Sequence, residues 1–213
     1  MKKLLQSLIV ILAVGFLVSC GGGSGGGGGS EGLEINEGYY FPEFNIPSSD
    51  ISHTITRRYT NANDLDDAVE DFKNKGSYLT FNDQIYRDDP IYGVGVTRAA
   101  VQAFPLPNYY TIVMDIDLNS TAIPRDDALF EVIFGYTNAP ITSFTVKKVW
   151  KTDITAQLEA YGDSLVGLGF KKVSNRQWTK TTAGIMYIYG YSVGTVYPSG
   201  FIALAQWDAM LTY

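Results

Sequence analysis

One histidine and one cysteine in 213 residues set the first limit on the chemistry this chain can do. Zinc clusters built from Cys and His, disulfide scaffolds and sites needing two histidines from one chain are all excluded. His53 stands in the run Ser52-His53-Thr54-Ile55, with no acid or nucleophile beside it. It reads as a packed or half-exposed strand histidine and not as a general base. Serine chemistry fares no better, because neither a strand-to-helix G-x-S-x-G elbow nor an S-x-x-K box occurs. The acids cluster as Asp64, Asp66, Asp67, Glu70 and Asp71, then Asp88-Asp89, then Asp126-Asp127. A calcium loop starting at Asp64 would need Gly at its sixth position, where Val69 stands. Acids that open a helix complement its dipole instead. A glycosidase pair would need two carboxyls about 5 to 10 Å apart, which is a tertiary property. The sequence therefore assigns no catalytic residue, no metal site and no cofactor.

Aromatic residues are the remaining chemical feature, at 14% of the chain with 15 tyrosines. Tyr187, Tyr189 and Tyr191 share one face of a strand, a ladder able to stack on a sugar, a peptide side chain or another sheet. Packing across to neighbouring strands is the plainer use of the same ladder. Together with Ile202 and Leu204 these tyrosines form the candidate interaction surface.

The N-terminus reads as an export signal: Lys2 and Lys3, the apolar run from Leu8 to Val18, then Ser19-Cys20. Leu17-Val18-Ser19-Cys20 resembles a bacterial lipobox, and residues 1–20 are similar to the start of bacterial lipoproteins. The resemblance implies cleavage after Ser19 by signal peptidase II, lipid on Cys20 and membrane attachment through that lipid. It also implies outer-membrane placement where the source has two membranes, because Gly21 stands where an Asp retains lipoproteins inside. Loss of Lys2 and Lys3 takes the formal net charge from −6 to −8. Such a surface repels phosphate backbones, so nucleic acid is excluded as a partner and a protein or envelope component is expected.

Stepping outward from these residues, the chain divides into signal peptide (1–19), lipidated Cys and Gly-rich tether (20–32), aromatic extension (33–49), first unit (50–118), connector (119–139) and second unit (140–213). The tether has a reach of roughly 17 to 21 Å over its twelve residues after Cys20. The two units follow from a diverged internal repeat at an offset of 91 residues. Ser52 to Tyr59 aligns with Ser143 to Trp150, Pro107 to Tyr110 with Pro198 to Phe201, and Asp117 with Asp208. Each unit opens with an alternating strand, Ile51 to Tyr59 or Ile141 to Trp150. A helix follows. The first, Asp64 to Lys75, is capped at Asn63-Asp64 and stopped by Gly76; the second, Asp153 to Leu168, is capped at Thr152-Asp153 and stopped by Gly169. Three strand-like segments close each unit: Tyr78 to Arg87, Gly93 to Phe104 and Tyr109 to Asp117, then Phe170 to Lys180, Gly184 to Val196 and Phe201 to Ala209. A further short helix is expected from Asp126 through Phe134.

The fold class is α+β: two tandem β-α-β-β-β units, each an antiparallel four-stranded sheet packed on one helix. That layout resembles cystatin-like and TBP-like topologies. On the side away from the helix, the last strand of the first unit shows Thr111, Val113, Asp115 and Asp117, whereas the second shows Ile202, Leu204, Gln206 and Asp208. The more apolar outer face is expected to be buried, either against the first unit and the 33–47 extension, which needs no partner concentration, or against a separate protein. Function follows as an expectation: a membrane-anchored, non-enzymatic binding or structural domain pair. The alternatives are a small-ligand carrier using a cavity between helix and sheet, and a carboxylate-dependent polysaccharide hydrolase.

Overall fold

The computed structural model describes Leu33, Phe44, Ile46 and residues 48–87, 96–106, 109–118, 139–196 and 200–212. Its elements are β1 (Asp50–Tyr59), α1 (Ala62–Asn74), β2 (Leu79–Phe81), β3 (Gln84–Arg87), β4 (Val96–Leu106) and β5 (Tyr109–Leu118). Then come β6 (Ile141–Trp150), α2 (Thr155–Ser164) with a 3-10 turn at Leu165–Leu168, β7 (Lys171–Ser174), β8 (Gln177–Thr182), β9 (Ile185–Val196) and β10 (Gly200–Leu211).

Alternation makes β1 a strand and sets its faces. Ile51, His53, Ile55, Arg57 and Tyr59 are buried, whereas Ser52, Thr54, Thr56 and Arg58 are half-buried on the other side. Helix α1 starts where Asn61 caps it: its Oδ1 accepts the Asp64 N–H at 2.9 Å, and its Nδ2 donates to Asp64 Oδ2 at 2.7 Å. The cap lies two residues before the expected Asn63, so the helix begins earlier and ends at Asn74. Leu65, Ala68 and Phe72 form its buried stripe. Helix α2 buries Leu158 and Gly162, and the chain leaves its 3-10 extension through Gly169 at φ 88°, a left-handed turn that glycine adopts without strain. Asp153 supports its start, accepting the Thr155 N–H at 3.0 Å and the Thr155 hydroxyl at 2.7 Å.

Among the described residues all ten strands join one antiparallel sheet in the order β2-β3-β4-β5-β1-β6-β10-β9-β8-β7. This differs from the expected four-stranded sheets in two ways. The segments 78–87 and 170–180 each fold back as a hairpin, because Asn82 and Asp83 adopt positive φ and a two-residue turn also separates β7 from β8. Each half therefore contributes five strands, and the halves meet strand to strand and not face to face. At the seam Thr54 lies opposite Thr145, its own counterpart at the 91-residue offset. β6 begins 91 residues after β1, and both strands have ten residues. The last strands depart from that offset. Thr54 pairs with Asp115 and Thr145 with Asp208, so the place of Asp208 is held in β5 by Asp115 and not Asp117. A two-residue shift keeps every side chain on its face, which is why the sequence alignment tolerates it.

Both helices cover the same face. Under α1 the core holds Leu33, Ile51, Ile55, Tyr59, Phe144 and Val146; under α2 it holds Trp150, Trp178, Tyr189, Ala203, Ala205 and Trp207. The described residues of the extension join this side too. The Leu33 N–H donates to Ile141 O at 2.8 Å, the Trp150 indole donates to Ile46 O at 2.9 Å, and Phe44 meets Trp150 edge to face at 5.7 Å. Docking of the extension on the outer face of the second half is thus corrected: these three residues pack on the helix-bearing face, near the two ends of β6.

Candidate functional site

The middle of the sheet carries polar groups on both faces. On the helix-bearing side, β1 and β6 bury His53, Arg57 and Lys148 among aliphatic and aromatic side chains. The Arg57 guanidinium donates to Ala139 O at 2.7 Å, and the His53 ring stands edge to face with Phe144 at 6.1 Å. Burial, reinforced by the charge of Lys148, pushes the His53 pKa down to about 4. A ring that stays neutral in a core is a packing residue, as its sequence setting indicates.

The outer side shows a more compact constellation. Asp208 on β10 accepts the Thr145 hydroxyl at 2.7 Å through Oδ1, and the Gln206 amide at 3.0 Å and 2.9 Å through its two oxygens. Burial raises the pKa of the Asp208 carboxyl, against the pull of these hydrogen bonds and the nearby charge of Lys147. Lys147 lies across from Gln206 on one side and Ser52 on the other. A carboxylate that already accepts from Thr145 and Gln206 ties β6 to β10.

The tyrosine ladder lies on one face as its spacing requires, but that face is the one α2 covers. Tyr189 is fully buried, its hydroxyl donating to Leu158 O at 3.0 Å, and Tyr191 is buried with its ring stacked on Trp178 at 6.2 Å. Tyr187 is half-buried on the same side. As an interaction surface the ladder is therefore corrected: it is the aromatic core of the second half, with Tyr161, Phe170 and Trp207 packed around it. Ile202 and Leu204 do lie on the outer face, half-exposed. The acids of α1 line its exposed side, where Glu70 pairs with Lys73. Cys20, Asp88-Asp89 and Asp126-Asp127 with the expected connector helix lie outside the described residues.

The sequence reading missed the surface around β2. Leu79 and Phe81 are 69% and 67% exposed, and Phe104 on β4 is 38% exposed. Pairing places all three on the outer face. The signal was available in Leu79-Thr80-Phe81, an apolar-polar-apolar triplet running into the Asn82-Asp83 turn. Among the described residues no group of three or more His, Cys, Asp or Glu could hold a metal ion, and no helix is long and apolar enough to cross a membrane. Compared with known proteins, the chain matches no family, no curated protein and no solved structure.

Proposed function

We propose that this protein is an envelope lipoprotein held to a membrane by lipid on Cys20, whose folded part is a duplicated, non-enzymatic binding or structural module. The observation that carries the binding role is the placement of both described helices on one face of the sheet. Both helices and the described extension residues sit on one face, and no described element packs on the other across β1, β6, β10 and β9. On that face Ile202 and Leu204 are half-exposed apolar side chains near the buried Lys147, and they are the positions a protein or envelope partner would engage.

Duplication is supported by the repeated element order, by the matched lengths and 91-residue spacing of β1 and β6, and by the pairing of Thr54 with Thr145. The carrier alternative has less support in the second half, where Trp178, Tyr189 and Trp207 fill the space beneath α2. Anchoring rests on the lipobox-like residues and the glycine tether. Its test is fractionation with intact-mass analysis. Cys20→Ala should release the protein from membranes or leave it as uncleaved precursor, and an unmodified Cys20 thiol in membrane-extracted native protein would reject the anchor. Leu204→Asp tests the platform: unchanged folding with lost partner capture supports it, whereas unchanged capture counts against it.

A further inference from the structure

The two halves of the sheet act as internal controls for each other, because the same strand order makes the same structural demands at corresponding places. In the first hairpin Leu79 pairs with Tyr86 and Phe81 with Gln84; in the second, Lys171 pairs with Thr179 and Ser174 with Gln177. The fold thus accepts Lys, Thr and Ser where the first half has Leu79, Tyr86 and Phe81. Leu79 and Phe81 are more than half exposed, an apolar area that a soluble surface ordinarily avoids.

The two edges of the sheet differ in the same sense. β7 also exposes an apolar residue, Val173, but is guarded by Lys171 and Lys172 and by a bulge between Lys172 and Ser174, features that keep an edge from pairing. β2 has no charge within it and no bulge in its ladder with β3. We infer that β2 is a self-association edge, at which a second copy of this chain adds its own β2 antiparallel and extends the sheet.

The occupant follows from the match of β2 with itself. Centred on Thr80, antiparallel pairing sets Leu79 of one copy against Phe81 of the other on the outer face. Beyond this pair Asn82 and Asp83 turn back at positive φ, so the added ladder is confined to Leu79–Phe81, which carries no charge. The molecule already contains one junction of this kind, the β1–β6 seam with Thr54 and Thr145 face to face. Three paired residues on each side bury little surface, so the contact is weak in dilute solution and gains from confinement of the chains. It does not depend on the lipid anchor, which would only raise local concentration.

The test is crosslinking in producing cells that carry two differently tagged copies of the full chain, both with Thr80→Cys, treated with a short bis-maleimide. Cβ atoms of directly opposed residues lie about 5 Å apart, within the reagent's span. A mixed-tag dimer is expected, reduced about tenfold when Leu79→Lys and Phe81→Ser are added, the residues that the second half carries at these places. Retention of folding by that variant is checked by its far-ultraviolet circular dichroism. Absence of the mixed dimer, or a mixed dimer unaffected by the double substitution, overturns the proposal. Chains with Thr80 unchanged report separately on the anchor: a dimer there can only join free Cys20 thiols, and it would count against lipidation while leaving the β2 comparison readable after subtraction.

Discussion

His53 shows how burial settles the role of a residue that composition singles out. The imidazole is the only one in the chain, and burial in the core, with the charge of Lys148 nearby, lowers its pKa to about 4. An unfolded histidine titrates near 6.5. Between these values the unfolded chain binds a proton that the folded chain refuses, so stability is complete above pH 6.5 and falls as pH drops towards 4. The full loss is about 3 kcal/mol. Asp208 works in the opposite sense, since its raised pKa means stability lost as pH rises through its own window. Urea titrations at about pH 7.5 and about pH 5 should show His53→Phe losing less stability than the native chain on acidification. An equal loss in both would show that His53 is not the group responsible. At this scale the sequence was legible where the answer is a residue type and opaque where it is an orientation. Period two placed Tyr187, Tyr189 and Tyr191 on one face, but the docking of α2, a long-range event, decided that this face is inside.

Elements were more readable than sites, because their signals are local. Both helices, their order among the strands and the Gly169 stop follow from apolar spacing and glycine stops, though the first cap is Asn61 and not Asn63, and β1 and β6 appear over nearly their expected ranges. The hairpins were lost inside single expected strands, since Asn82-Asp83 and Asn175-Arg176 are short polar breaks within otherwise strand-like runs. The merger of two sheets into one was not readable either, because edge pairing leaves no pattern in side-chain alternation. Gly162 is an element-level clue that sequence could have raised: a glycine inside a helix costs about 1 kcal/mol relative to alanine, which asks for a packing reason. The structure supplies it. A Cβ at position 162 would lie 2.5 Å from Trp178 Cη2, and Trp178 is fully buried against Tyr189 and Tyr191. Gly162→Ala should therefore destabilise the protein by about 2 kcal/mol despite its better helix propensity, as overpacking outweighs the entropic gain. A rise in the denaturation midpoint would show that α2 moves aside freely and that the close approach has no energetic weight.

For the whole molecule, the continuous sheet raises the question of whether its two halves unfold as one body. Ser30–Thr212 forms one compact unit, and the central strands β1 and β6 exchange main-chain hydrogen bonds along most of their length. The side chains of the α1-side core come from both strands, since Ile51 and Ile55 of β1 pack with Phe144 and Val146 of β6. Loss of the first half would strip cover from β6, which is also the strand that β10 pairs with. The sequence provides a direct probe, because all three tryptophans, Trp150, Trp178 and Trp207, belong to the second half and to its core. Phe72, fully buried on the inner side of α1, belongs to the first. Phe72→Ala should cost about 3 to 5 kcal/mol through lost transfer energy and the cavity left behind. If the sheet is one cooperative body, tryptophan fluorescence must register that loss although no tryptophan packs in the cluster around Phe72. Its urea midpoint should fall together with the midpoint of far-ultraviolet circular dichroism, which reports both halves. A fluorescence midpoint that stays at the native value while the dichroism transition splits in two would mean that the halves fold independently, and that the β1–β6 seam joins two domains instead of building one.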